Sequence, residues 1–415
     1  MTAAIRLPGR AEPLVISSPG WAPGYPPPAS RRVWAAAHVA ACGAGSGRSG
    51  AAVGSSGGEI IDWESTMRFR EHLWAHGFGV AEAMDTAQRG MGLSWAQARE
   101  LIARSAHRAR QIRVELAGGG VAAGGEEAGR RAGGVVAALA CGAGTDQLAD
   151  GESYPVPRII EAYAEQIGFV QSSGADVIVM ASRALAASAR GPRDYLDVYG
   201  ELLRQAERPV ILHWLGEAFD PALRGYWGST EFGAAAGTVL ELIERSEGKV
   251  DGIKLSLLDA DREVGLRRRL PAGVRLYSGD DFNYAELIRG DAQGHSDALL
   301  GAFAAITAPA AAALAALDRG DLAGYDAAMA PTVPLSRLIF EPPTFHYKVG
   351  VAFLAWLNGF QPQFAMLGGL QRRRPARHLL RVFELAAAAR ALTDPDLAVE
   401  RMNGLLATFA GPERV

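Results

Sequence analysis

Short apolar runs alternate with longer stretches of helical periodicity along most of this chain. Val33–Ala41 predicts a first strand, and seven more are predicted at Gly79–Met84, Val135–Ala140, Asp176–Met180, Pro209–Trp214, Gly252–Leu257, Val274–Tyr277 and Ala298–Phe303. Each run is brief and bounded by turn-forming residues, as expected of a strand covered on both faces in a parallel sheet. Between the runs, apolar residues recur at three- and four-residue spacing. Helices are expected at Asp62–His76 with Asp62 as cap, at Trp95–Ala106 behind Ser94, and near Arg158–Ser172, Asp194–Ala206 and Gly237–Ser246. After the eighth strand the pattern is helical throughout, near Ala308–Leu317, Leu322–Leu338, Pro343–Leu357, Ala376–Ala391 and Asp396–Phe409.

Strands alternating with helices in this way argue for an α/β fold with a parallel sheet. Eight repeats suit a closed (β/α)8 TIM barrel better than an open doubly wound sheet. The open sheet would want a glycine-rich phosphate turn after the first strand. The glycines of 43–58 form a Gly/Ser tract without that fingerprint. The expected organisation is an irregular N-terminal arm over 1–32, the barrel over 33–318 and a C-terminal helical extension over 319–415. Residues 43–58 and 118–134 read as glycine-rich loops added to the barrel.

Composition narrows the function classes. Of 415 residues, 49% are hydrophobic and 21% charged, the balance of a globular enzyme. A net charge of −3 gives no electrostatic footprint for nucleic acid, and the apolar stretch Ala302–Leu317 is too short and alanine-rich to span a membrane. Two cysteines, Cys42 and Cys141, rule out a disulfide framework, and with no recognisable leader the expected setting is the cytoplasm.

Lysine is almost absent: Lys249, Lys254 and Lys348 are the only three, and arginine carries the positive charge. Codon bias accounts for the scarcity. It does not account for Lys254 in the middle of the sixth strand, where lysine is seldom buried without a partner. Alternation puts Gly252, Lys254 and Ser256 on one strand face, and Ile253, Leu255 and Leu257 on the other. The apolar face suits the surrounding helices, so Lys254 points into the barrel. A desolvated lysine loses its proton more readily and becomes an amine nucleophile.

Polar residues also fall at the ends of other strands, where barrel enzymes hold their chemistry. These are His38, Asp85, Thr86, Asp146, His213, Asp280 and Asp281. His213 shares a strand face with Ile211 and is the candidate proton shuttle. Plainer readings stand beside these: Lys254 paired with Asp280, His213 as a core histidine, and Asp280, Asp281 and Asp85 as caps.

Gly252-Ile253-Lys254, followed after a strand by Ser278-Gly279-Asp280-Asp281, resembles the dihydrodipicolinate synthase/N-acetylneuraminate lyase family of class I aldolases. The resemblance extends from Ile61-Asp62-Trp63 through Pro209-Val210-Ile211-Leu212 to Leu338–Pro343 and Lys348. It implies a barrel with a C-terminal helical extension, a homo-oligomer (dimer or tetramer), and Lys254 as the Schiff-base lysine. It gives Lys348 a structural part. The chain departs from the family at two places. The Gly-Thr-Thr-Gly-Glu stretch becomes Asp85-Thr86-Ala87-Gln88-Arg89, and His213 stands where the family has a proton-relaying tyrosine. The synthase's arginine for the second substrate falls near Ala218, so pyruvate as donor is left open.

The expected function is a carbon–carbon lyase or aldolase, or a hydro-lyase, acting on a small carbonyl compound: a 2-oxo acid or a sugar-derived relative. Lys254 and His213 would be catalytic, and Asp85, Thr86, Asp280 and Asp281 would contact substrate. No cofactor, metal, membrane or nucleic acid is called for. The rival readings are a metal-dependent barrel lyase or isomerase built on His38, Glu82 and His213, and a degenerate barrel that only binds a small molecule.

Overall fold

The structure, a computed structural model, describes residues 2–43, 59–118 and 136–409. The two glycine-rich loops expected at 43–58 and 118–134 fall, apart from Gly43 and Gly118, outside the described residues.

Eight parallel strands close into a barrel. In chain order they are β1 (Val33–Ala36), β2 (Gly79–Glu82), β3 (Leu139–Ala143), β4 (Asp176–Val179), β5 (Val210–Leu215), β6 (Val250–Ser256), β7 (Arg275–Ser278) and β8 (Asp297–Leu300). Each pairs with its neighbours in sequence, and β8 pairs with β1 to close the ring. The chain is therefore a (β/α)8 TIM barrel with C-terminal helices.

Two apolar cores follow from strand alternation. Inside the ring lie Trp34, Ala36, Ala81, Ala140, Ile178, Ile211, Tyr277 and Leu299, contributed by seven of the strands. Val33, Val80, Leu139, Val177, Leu212, Ile253, Leu255 and Leu276 face outward into the larger core beneath the helices. The sixth strand contributes no large apolar side chain to the inner core; Gly252 leaves room there for the Tyr277 ring.

Helix starts follow the capping chemistry. The Asp62 side chain accepts from the Ser65 amide at the head of Trp63–Ala75. Before Trp95–Gly118, Ser94 and Gln97 bond reciprocally as a capping box. That helix runs twelve residues beyond the expected Ala106, although of its further residues only Ala109 is fully buried among those described.

Several expected bounds shift. The first strand stops at Ala36, and Ala41–Gly43 pairs instead with Glu59–Ile61. The second stops at Glu82 because Ala83 takes a left-handed conformation (φ 52°) that leaves the ladder. The third begins at Leu139, not Val135, after a left-handed Ala137. The eighth ends at Leu300, where Ala302–Ala305 turns helical. The N-terminal arm is not wholly irregular: Thr2–Ile5 and Leu14–Ser17 form an antiparallel pair, with Ile5 and Ile16 buried. Among the described residues, no helix is long and apolar enough to cross a membrane.

The extension is anchored by Lys348–Leu357, in which all ten residues are buried. A helix apolar on every side must be enclosed, and this one packs on Ala302–Ala305 at the end of β8. Its leading turn, Thr344–Tyr347, therefore reaches the barrel mouth.

Candidate active site at the barrel mouth

The site is built on β6. Lys254 is paired in register with His213 on one side and Tyr277 on the other. Paired residues of parallel strands point the same way, so Lys254, His213 and the inner-core ring of Tyr277 share the barrel interior. Lys254 is 8% exposed, and its Nζ makes no hydrogen bond or ion pair among the described residues. Burial lowers its pKa, and the nearby Asp85 and Asp281 carboxylates offset part of that shift. Burial thus favours the neutral amine, against the electrostatic pull of the two carboxylates.

Lys254 reaches this position because the residue beside it has no side chain. A Cβ on Gly279 would lie 2.8 Å from Lys254 Cε and would collide with Ser256 Oγ. The glycine of Ser278-Gly279-Asp280-Asp281 is thus a packing requirement of the lysine.

His213 is fully buried, its Nε2 lies 3.4 Å from Ser256 Oγ, and its Nδ1 has no partner. Burial, followed by the charge of Lys254, pushes its pKa well below the ordinary imidazole range. The ring is neutral at physiological pH, able to accept a proton and slow to keep one.

The two aspartates after β7 part company. Asp281 is buried and accepts from the Ala302 amide at 2.9 Å. Burial pushes its pKa up to about 7 despite that bond and Lys254. Asp280 is used by its own turn: Oδ1 accepts from the Phe282 and Asn283 amides, and Oδ2 from Asn283 Nδ2. The geometry gives Asp280 the capping part that stood beside the substrate contact as its plainer reading.

Asp85 and Thr86 follow β2 in a single tight turn. Asp85 is half-buried, and its carboxylate makes no hydrogen bond among the described residues. Thr86 is buried, and its Oγ1 lies 2.7 Å from the hydroxyl of Tyr347. Tyr347 stacks on Phe340, with ring centroids 4.3 Å apart. Both rings press on Gly301, where a Cβ would meet Tyr347 at 3.0 Å and Phe340 at 3.2 Å. Burial, then the charge of Asp85, raises the Tyr347 pKa well above 10, so its phenol stays protonated.

Tyr347 was missed from sequence because it arrives from the helical extension, some ninety residues past β6. Lys348 was placed as structural, yet it lines the same mouth. The strand position that singled out Lys254 has no counterpart at Lys348, which opens a helix of the extension.

The mouth contains two adjoining cavities of about 280 and 350 Å³, which share Asp85, Arg89, Arg183, Leu215 and Asp220. Lys254 lines neither; Asp85 is its link to both. Arg89 is held by Asp146 and Gln166 and by the carbonyls of Ala83 and Gly142. Burial raises the Asp146 pKa, but the Arg89 bonds outweigh this and leave it below its usual value. Asp146 is thus an ion-pair partner as well as a turn residue.

Two of the three groups considered for a metal, Glu82 and His38, are committed elsewhere. Arg70 grips the Glu82 carboxylate with two bonds of 2.8 Å, both side chains fully buried, and Ser105 adds a third. His38 pairs with Gln361 at 3.0 Å, and burial, then Arg70, lowers its pKa to about 3. Among the described residues no three metal-ligating side chains gather.

Over residues 11–411 the chain matches the family described as a protein of unknown function, DUF993, and it belongs to that family. Comparison with curated proteins finds no match. Among solved structures it is similar to dihydrodipicolinate synthase from Oceanobacillus iheyensis, at 15% identity and a TM-score of 0.57, covering 86% of this chain and 95% of that one. The enzyme from Aquifex aeolicus matches at 14% and 0.58, covering 87% and 99%. A prophage protein of the dihydrodipicolinic acid synthase family from E. coli K12, in complex with pyruvate, matches at 12% and 0.59, again covering 87% and 99%. At this identity the likeness is one of fold, and it is the fold that the Gly-Ile-Lys and Ser-Gly-Asp-Asp elements implied.

Proposed function

We propose that this protein is a Schiff-base-forming aldolase or lyase that makes or breaks a carbon–carbon bond beside the carbonyl of a 2-oxo acid or a related sugar-derived compound. One observation carries the reading: Lys254 holds a buried amine, unpaired by any carboxylate among the described residues, inside the barrel beside a neutral imidazole.

In this reading the neutral Lys254 amine adds to the carbonyl carbon. The carbinolamine then loses its oxygen as water, which takes one proton from the former amine and one from an acid. The protonated imine draws the electron pair of an adjacent bond toward nitrogen, and that bond breaks or, in reverse, forms. Loss of water from a 3-hydroxy-2-oxo acid would use the same sink. The imine supplies the electron withdrawal, so the reading calls for no metal or cofactor.

Proton handling divides between two residues. His213, neutral and next to Lys254 in register, suits removal of a proton during imine formation. Tyr347, protonated and bonded to Thr86, suits donation to the departing oxygen or the enamine carbon. The family's relay tyrosine comes from β5; in this reading one from the extension takes its part. Asp85 is placed to accept a substrate hydroxyl, and Asp281 to steady the amine. A homo-oligomer belongs to the same reading, and light scattering of the purified chain measures it.

The test is chemical trapping. The protein is incubated with a panel of 2-oxo acids and borohydride and then weighed. The expected result is a mass increase confined to the Lys254 peptide and lost in Lys254→Ala. No adduct with any member of a broad panel would sink the proposal.

A further inference from the structure

The two arginines at the mouth are matched by carboxylates, and Lys348 is not. In the 350 Å³ cavity, Arg183 donates from Nε to Asp220 at 2.6 Å and from a terminal nitrogen to Asp150 at 2.6 Å. Arg89 is held by Asp146. Lys348 differs. It lines the cavity at 3% exposure, and its Nζ donates one hydrogen bond, to the Phe345 carbonyl at 3.0 Å. The Nζ also lies 4.5 Å from the centre of the Tyr347 ring.

An ammonium carries three donors and no acceptor. Two donors of Lys348 therefore have no acceptor among the described residues, and no carboxylate lies within ion-pair distance. Elsewhere in this molecule a buried cation is matched: Arg70 has Glu82 at 2.8 Å on two nitrogens. Leaving donors of a buried charge unused is costly, so a purely structural lysine would be expected to show such a match. Asp85 and Asp220 lie within electrostatic reach of Lys348. Lys254 lies outside this cavity, and Asp85, which lines it, is within electrostatic reach of both lysines.

We propose that this cavity is the distal half of the substrate site, and that Lys348 binds an anionic oxygen, of a carboxylate or a phosphate, at the substrate end remote from the carbon attacked by Lys254. As a statement about substrate it rests on the Schiff-base reading. The substrate is then an acid with two separated functions: a carbonyl for Lys254 and a second acidic group for Lys348. Asp85 suits a hydroxyl between them.

With only three lysines, amine labelling of the wild-type chain is directly readable by peptide mass. The probes are glutarate for a carboxylate, inorganic phosphate for a phosphate, and neutral glutaramide as control. Reductive methylation with formaldehyde and cyanoborohydride is followed at each lysine. A bound anion at about ten times its Kd should slow labelling of Lys348 about tenfold. Lys249, whose Nζ is held by the Ala206 carbonyl, should be unaffected. The anion that protects identifies the acidic group. The same anion should raise the melting temperature of wild type and of Lys348→Arg, but not of Lys348→Met; these arms decide the matter if Lys348 proves unreactive. Equal stabilisation of wild type and Lys348→Met, or no protection and no stabilisation by either anion, overturns the proposal. Failure of the Schiff-base reading would look different: protection at Lys348 intact, with no borohydride adduct of 2-oxoglutarate on Lys254.

Discussion

At the scale of the residue, the site depends on a few side chains and on two places where a side chain is missing. Gly279→Ala would put a methyl group 2.8 Å from the Lys254 stem, against a strand that cannot retreat. The expected cost is ~1–3 kcal/mol in urea unfolding, with loss of the borohydride adduct even where the protein stays folded. Tyr347→Phe keeps the stack on Phe340 and removes only the hydroxyl. On a substrate found by trapping, kcat should fall by about 10²–10⁴-fold with KM little changed. Thr86→Val should act similarly, and the double variant should be no slower than either alone, because the two hydroxyls form one bonded unit. Additive losses would argue against a relay. Lys254 and His213 were legible from strand alternation alone. The turn bonds of Asp280 were beyond the reach of alternation, which tells which way a strand residue points, whereas a residue just past the strand is placed by its turn. Tyr347 was invisible for a different reason: nothing local to it marks a partner in Thr86.

At the scale of the element, the helix Ala260–Arg267 carries a buried acid that the chemistry proposed for the mouth does not use. Glu263 is 1% exposed, accepts from Ser278 Oγ at 3.1 Å, and leaves Oε1 without a partner. Burial, with the neighbouring Asp280, pushes its pKa up to about 8, against the pull of the Ser296 and Ser278 hydroxyls and of Arg267. A carboxyl whose folded pKa is raised contributes stability that is complete below its unfolded value of about 4.3 and lost as pH rises through 8. Stability should therefore decline between pH 5 and about 8, and Glu263→Gln should flatten that decline in thermal melts across the range. Asp281, raised in the same direction, would leave a residual slope. An unchanged slope in Glu263→Gln would show that the acid is ionised in the fold. Element existence was mostly legible. The short helices Arg183–Ser188, Ala260–Arg267 and Tyr284–Arg289 were not, since six to eight residues hold too few turns to display a period. Strand ends slipped where left-handed Ala83 and Ala137 interrupt apolar runs that look continuous in sequence.

At the scale of the whole molecule, the barrel is held together by links that no single element reveals. Arg70, on the helix after β1, is fully buried against Glu82 at the end of β2, and also donates to the carbonyls of His38 and Thr66. Arg70→Met would strand the Glu82 carboxylate in the core, at ~3–5 kcal/mol, measurable by chemical denaturation. Replacing both residues with apolar side chains should restore much of that loss. The extension is the other long-range link, since it delivers Phe345, Tyr347 and Lys348 to a mouth whose remaining lining comes from β5 and from segments that follow the strands. The sequence by itself determined the barrel, the inward lysine and its histidine neighbour, because period-two alternation and capping are local and leave their mark within a few residues. Only the tertiary structure decided which acids face the amine, that Glu82 serves Arg70, and that a tyrosine and a second lysine from the extension complete the mouth. Those contacts join residues far apart in the chain, and they follow from how the last helices pack across the barrel's end.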